Sequence, residues 1–149
     1  MVQKFRERSN GEGGFTLVEL LVVMLILGLL AAIAIPSFFN QRDKAKDADA
    51  KAGVRTAQTA IESYATDNGG SYLGADAAAL EAIESTLTDV NLQDPTGLAA
   101  DEYTVTVIAE DTLNEFSITR ADTGDVSYTC VVGAPNKQAG CPTGGNWGD

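Results

Sequence analysis

Glu19 stands four residues into an apolar run, FTLVELLVVMLILGLLAAIAI from Phe15 to Ile35, that holds no other charge. A carboxylate at such a depth costs about 2.5 to 3.5 kcal/mol on membrane-insertion scales, so it requires a partner or a function. The other residues with chemical promise point away from catalysis. The chain contains no histidine, which removes Ser-His-Asp and Cys-His nucleophilic pairs and histidine-ligated metal sites. Asp122-Thr123-Gly124 matches the three-residue signature of aspartic proteases. That chemistry needs an apolar strand beside the aspartate and a second aspartate facing it, whereas Arg120 and Asp125 make this segment a polar hairpin turn. Glu110, Asp111 and neighbouring acids lack EF-hand spacing and read as solvated carboxylates. No enzyme activity, no metal and no cofactor are expected.

The element that must position Glu19 is a helix. Phe15 to Ile35 is long enough, at about 30 Å, to match the hydrocarbon core of a bilayer. Lys4, Arg6 and Arg8 precede it, and by the positive-inside tendency they hold the amino end in the cytoplasm and send the rest outward. A plain anchor and a cleavable secretory signal are the simple readings. For the signal, Ala32-Ile33-Ala34 supplies an A-x-A site, but an ordinary apolar region of such a signal spans about 7 to 15 residues and carries no acid.

No helix breaker follows until Asp67-Asn68-Gly69-Gly70, and Pro36 is absorbed as a bend, so one helix of about fifty residues is predicted. Ala45, Ala48 and Ala52, then Val54, Ala57, Ile61 and Tyr64 recur at the spacing of an amphipathic stripe. Gly28 and Gly53 weaken the helix by about 1 kcal/mol each relative to alanine. At Gly28 two readings stand, local melting towards Pro36 and close helix packing in the membrane.

Charge is uneven. After Gly14 the chain has seven cations, and Arg42, Lys44, Lys46, Lys51 and Arg55 are clustered; from Thr56 onward fifteen acids face only Arg120 and Lys137. The basic collar reads either as a solvated face near anionic lipid, with pairs such as Asp47 to Lys51 adding tenths of a kcal/mol, or as a surface that meets the acidic head of another copy. A field of this sign opposes bulk nucleic-acid binding.

Beyond the glycine stop, Asp76 to Leu87 reads as a short helix with Leu80, Ile83 and Leu87 inward, and Asp94-Pro95-Thr96-Gly97 as a turn. The period then changes to two. Tyr103, Val105 and Val107 alternate with Thr104, Thr106 and Ile108; Phe116 and Ile118 alternate with Ser117 and Thr119; Val126, Tyr128 and Cys130 follow suit. Three antiparallel strands joined by short hairpins are predicted, with the Val54 to Tyr64 stripe covering their apolar face. Cys130 and Cys141 read as a disulfide, which export to an oxidising compartment permits and which closes a short loop worth roughly 3 kcal/mol; reactive or metal-binding cysteines are the alternative. Thr143 to Asp149 reads as an exposed tail, with Trp147 on the head or on a partner.

Gly14-Phe15-Thr16-Leu17-Val18-Glu19 resembles the class III signal of type IV pilins and their relatives, and the resemblance extends from Gly13 to about Tyr64. It implies that a prepilin peptidase cuts between Gly14 and Phe15 and methylates the amino group of Phe15. It also implies that Glu19 and Pro36 correspond to the family's acid and its helix-bending proline, and that Phe15, Glu19, Gly28 and Pro36 serve assembly. A cysteine-closed loop near the carboxyl end is similar to the family's as well. The physical sense is plain: an ammonium at Phe15 and a carboxylate at Glu19 are each costly in a dry core, and pairing between subunits offsets part of that cost while fixing axial register.

The expected fold is therefore α+β and pilin-like, one long N-terminal helix on a small antiparallel sheet of about three strands. Residues 1–14 are a cytoplasmic leader, 15–36 the transmembrane or filament-core helix, 37–66 its amphipathic continuation and 67–149 the head. The resemblance implies a subunit stored in the cytoplasmic membrane with its head outward, then polymerised with copies of itself into a helical surface filament. Its implied partners are the prepilin peptidase, an assembly platform, minor pilins and membrane lipid. A pseudopilin of a type II secretion system is the alternative inside the superfamily, because Asp43-Lys44-Ala45-Lys46 and the Tyr64 to Gly69 run are similar to that group's major subunit. A membrane-anchored binding or sensor domain is the alternative outside it.

Overall fold

The structure is a computed structural model in which residues 14–135 and 137–148 are described. The chain divides into two compact units, residues 1–38 and Phe39–Asp149. Helix α1, Leu17–Asp67, has residues in both and is unbroken through Gly28 and Pro36. In the first unit its apolar side chains are exposed all round, including Leu17, Met24, Leu29 and Ile33. That distribution suits a helix whose solvent is lipid or other helices. It is one helix long and apolar enough to cross a membrane.

In the second unit α1 buries one stripe, Asp47, Ala50, Gly53, Val54, Ala57, Ala60, Ile61 and Ala65. The lower part of this stripe differs from the expected one. Ala45, Ala48 and Ala52 are exposed, because the helix turns its Asp47 and Gly53 edge inward, where Gly53 admits the Val90 side chain. A methyl at Gly53 would lie only 3.1 Å from Val90 Cγ1.

Four strands form an antiparallel sheet in the order β1-β2-β3-β4: Asn91–Leu92, Tyr103–Ile108, Glu115–Arg120 and Val126–Val131. The three-strand meander stands as predicted, with Val105 opposite Ile118 and Phe116 opposite Cys130. The extra strand, β1, is two residues long, too short to carry an alternation pattern, and pairs Asn91 with Ile108. Tyr103, Val105, Val107, Phe116 and Ile118 are buried against the α1 stripe. On the other face Thr104 bonds Thr119 at 2.9 Å and Thr106 bonds Ser117 at 2.8 Å, cross-strand hydroxyl pairs that knit the solvent side. Alternation weakens on the last strand, where Val126 is 37% exposed.

The predicted short helix splits in two. α2 covers Ala77–Ile83, capped by the Asp76 carboxylate on Ala79 N at 2.7 Å, and a 3-10 turn covers Ser85–Asp89. Leu80 and Leu87 are buried, whereas Ile83, expected inward, is 42% exposed. The break at Glu84 rotates the final turn, so the two leucines reach the core without Ile83.

The tail is not free. Cys130 N donates to Gly145 O at 2.7 Å, Asn146 bridges Thr129, and Trp147 Nε1 donates to Thr129 O at 2.8 Å. Residues 145–147 thus cover the outer edge of β4. Trp147, only 7% exposed, packs edge-on against Phe116 and Tyr128. Lys51 and Arg55 of α1 lie over this cluster, with Lys51 Nζ 5.2 Å from the Phe116 ring and the Arg55 guanidinium 5.3 Å from Trp147.

Candidate assembly site

Residues 1–13, most of the expected leader, lie outside the described residues. Gly14 and Phe15 precede α1, and Phe15 is 81% exposed. Glu19 does not point away unpartnered. Its Oε2 accepts from Thr16 N at 2.9 Å and from Thr16 Oγ1 at 2.8 Å, while Glu19 N donates back to Thr16 Oγ1 at 3.2 Å. This is a capping box, in which the N-cap threonine and the acid three residues on satisfy each other's backbone donors. Its signal is local in Thr16-Leu17-Val18-Glu19, although the bilayer cost of the acid draws attention first. The carboxylate is thereby held one residue from the Phe15 nitrogen, at the end of the helix where negative charge is favoured.

Gly28 is exposed on α1 with nothing within 4 Å of the position a Cβ would take, and Pro36 lies inside the helix. Neither is brought to Glu19 by the fold: seventeen residues of α1 separate Glu19 from Pro36, roughly 25 Å of helix.

In the second unit the basic collar is engaged by the same chain. Arg42 pairs with Asp111 at 2.7 Å, Lys46 with Glu110 at 2.7 Å, and Lys137 with Asp43 at 2.7 Å. Lys51, expected to pair with Asp47, instead donates to Gly140 O at 2.6 Å. These contacts hold the β2–β3 hairpin tip and the disulfide loop against α1. The tip carries two left-handed non-glycine residues, Asp111 and Leu113. The Glu110 partnership holds the Lys46 ammonium above its usual range, and Lys46 in turn holds the Glu110 carboxyl below the usual carboxylate range. Glu110, depressed, contributes stability above its unfolded pKa that is lost as pH falls through the folded value. Lys46, raised, contributes stability below its unfolded pKa that is lost as pH rises through the folded value. Lys46→Met is therefore expected to flatten both the acid and the alkaline limbs of a melting-temperature profile, with little change between them in high salt. An unchanged profile refutes the pairing.

Cys130 and Cys141 are joined in a disulfide with a Cα separation of 5.8 Å. The residue that sequence reasoning missed is Asp47, which is fully buried. Its Oδ1 accepts from Thr112 Oγ1 at 2.5 Å; its Oδ2 accepts from Asn114 Nδ2 at 2.8 Å and from Gly140 N at 2.7 Å. Gly140 is needed there, since a Cβ on it would stand 2.8 Å from Asp47 Cβ. At the far end of the stripe, Glu62 accepts from Tyr72 at 2.7 Å and Tyr103 at 2.8 Å. Burial, then the bond to Glu62, pushes both phenols up.

A cleft of about 80 Å³ between Lys46, Asp49, Val90 and Glu110 is well short of the roughly 300 Å³ of a ligand pocket. Among the described residues no three His, Cys, Asp or Glu side chains come together as metal ligands.

Residues 9–35 match the family described as the prokaryotic N-terminal methylation motif. The chain is 41% identical over 63 residues to the type IV major pilin protein PilA of Myxococcus xanthus, a match covering 42% of this chain and 27% of that protein. It is 40% identical over 57 residues to the type II secretion system core protein G of Pseudomonas aeruginosa, covering 38% of this chain and 40% of that one. With the core protein G of Vibrio cholerae it shares 27% identity over 145 residues, 95% of each chain. The chain thus spans well under two thirds of the length of the first two relatives. No solved structure matches it.

Proposed function

From an amino terminus similar to those of pilins and pseudopilins alike, we propose that this chain is the structural subunit of a pilin-type filament. The observation that carries the reading is Glu19, a carboxylate at the start of a bilayer-length helix, capped by Thr16 immediately after the Gly14-Phe15 junction. Removal of residues 1–14 between Gly14 and Phe15 by a prepilin peptidase, with N-methylation of Phe15, leaves a cation within reach of that acid. Residues 15–36 are then the membrane and filament-core segment, 37–66 the amphipathic continuation and 67–149 the head. Glu19 of an arriving subunit pairs with the Phe15 amine of one already in place, Gly28 and Pro36 adjust the packing of core helices, and an assembly platform and minor pilins act as further partners. The role is structural rather than catalytic.

The pilus form of the reading is supported by the disulfide-closed loop over Cys130–Cys141. A second form, a pseudopilin of a type II secretion system, is favoured by the end-to-end similarity to the Vibrio cholerae core protein G. Mass spectrometry of the amino-terminal peptide from the membrane-purified protein tests the shared part: N-methyl-Phe15 is expected, and an amino terminus at Met1 or Ile35 overturns it. Mechanical shearing of cells separates the two forms, since a surface pilus sheds the chain into the medium and a pseudopilus retains it.

A further inference from the structure

The end of α1 carries chemistry of its own. The helix stops in a left-handed turn, with Gly69 at φ 72° and Gly70 at φ 88°. Gly70 N donates to Ala65 O at 2.7 Å, the longer bond of a Schellman motif. The shorter bond, from Gly69 N to Thr66 O, is not made. Asn68 N, Gly70 N and Ser71 N all donate to backbone carbonyls, whereas the Gly69 amide has no backbone acceptor among the described residues. Asn68 and Gly69 are both exposed, and nothing lies within 4 Å of where a Gly69 side chain would be. A primary carboxamide is thus followed by a backbone nitrogen that donates to no backbone carbonyl among the described residues and that nothing beyond its chain neighbours crowds.

We propose that Asn68-Gly69 is a site of intramolecular deamidation, at which the chain converts its own helix cap into a carboxylate. The Gly69 nitrogen yields its proton to hydroxide or a water-borne base and attacks Cγ of Asn68. The new N–Cγ bond forms, the Cγ–Nδ2 bond breaks, and ammonia leaves with a proton from water, giving a five-membered succinimide. One water then opens either of the two imide bonds, leaving an aspartyl or an isoaspartyl residue at position 68. No electron is gained or lost, and water is the sole co-reactant. Glycine matters because a β-carbon at position 69 blocks the approach that intramolecular attack requires.

The consequence is local and directional. Asn68 Nδ2 now donates to Tyr64 O at 2.8 Å, and that bond disappears with the ammonia. A new negative charge appears beside Asp67 at the carboxyl end of a helix, where the macrodipole disfavours it. The isoaspartyl product also adds one backbone carbon between Ala65 and Gly70, so the Gly70 N to Ala65 O bond loses its geometry. Tyr64, whose hydroxyl donates to Leu73 O at 3.3 Å, ties this turn to the loop that follows. The reaction depends only on the Asn68 turn and not on the filament reading.

The test uses the full-length protein in detergent, incubated at mildly alkaline pH and sampled over time. Trypsin releases Thr56 to Arg120 as one peptide, since no Lys or Arg lies between those positions. Fragmentation that distinguishes aspartyl from isoaspartyl backbones should find the NH2-to-OH mass gain at position 68. Asn91 and Asn114, followed by Leu92 and Glu115, serve as internal references and should stay unchanged. Asn68→Ala should abolish the gain, and Gly69→Val should slow it by about tenfold or more by denying the near-attack geometry. Circular dichroism checks that both variants fold. No gain at position 68 in the unaltered chain overturns the proposal, as does conversion of the Gly69→Val chain at the unaltered rate.

Discussion

On the proposed filament reading, Glu19→Gln is expected to leave the chain in the membrane and to remove it from the filament. Glutamine occupies the same volume and still serves the capping box, because its carbonyl oxygen accepts from Thr16 N and Oγ1 as the carboxylate does. The helix start is therefore preserved and the substitution isolates the charge. Insertion is expected to be unaffected or improved, since a neutral amide is cheaper in lipid than an acid whose cost is about 2.5 to 3.5 kcal/mol. Assembly is expected to lose the proposed pairing with the Phe15 amine of a neighbouring subunit, which would leave that amine buried and uncompensated. Truncating one partner of a buried charge pair costs about 3 to 5 kcal/mol, enough to reduce polymer by two orders of magnitude or more at a given subunit concentration. Immunoblots of membrane and sheared fractions measure both quantities. Undiminished sheared material with the variant would show that the acid serves the cap alone.

What could be read before the structure follows from how local each signal is. The bilayer-length run, the stop at Asp67 and the two-residue alternation over Tyr103–Ile108 and Glu115–Arg120 are all encoded within the segments that adopt them, and α1, β2 and β3 lie where these patterns put them. The features that escaped depend on residues distant in the chain. Strand β1 exists because Asn91–Leu92 is brought beside β2, with no pattern of its own to announce it. Trp147, in a glycine-rich end that reads as exposed, is buried because Phe116, Tyr128 and the cations Lys51 and Arg55 make a slot for it. Ile83 fits a helical stripe only if the helix runs on to Leu87, and the capped break at Glu84 ends that register.

The candidate site divides in the same way. The match to a methylation motif over residues 9–35 and the Thr16–Glu19 capping box both rest on neighbouring residues, so this end of the chain is legible locally. Asp47 is illegible for the opposite reason. An acid four residues before Lys51 on a helix surface has the pattern of a solvated ion pair. Its burial is imposed by Thr112, Asn114 and Gly140, between 65 and 93 positions further along the chain.

Asp47→Ala should consequently be the most damaging single substitution in the head. The wild-type carboxylate meets three donors, the Thr112 hydroxyl, the Asn114 amide and the Gly140 backbone N–H, from two separate loops. Alanine leaves all three without that acceptor, with Thr112 and Asn114 fully buried and Gly140 partly so. Asn114 Nδ2 keeps a bond to Lys137 O at 2.8 Å, so its loss is partial, but the other two donors have no alternative acceptor within the cluster. At about 1 to 3 kcal/mol for each unsatisfied buried group, the total is roughly 3 to 5 kcal/mol. Asparagine restores part of it, because its oxygen at the Oδ2 position accepts from Asn114 Nδ2 and Gly140 N and its NH2 donates to the Thr112 hydroxyl oxygen once that hydroxyl turns. Thermal unfolding of the full chain in detergent should give a melting temperature lowered more by Asp47→Ala than by Asp47→Asn. Hydrogen exchange should accelerate first at residues 112–114 and 137–141, while the Tyr72–Glu62–Tyr103 end of the core stays protected. A near-native melting temperature for Asp47→Ala would mean that water enters and satisfies the donors, and that the Lys51–Gly140 and Lys137–Asp43 contacts suffice to hold the loop to the helix.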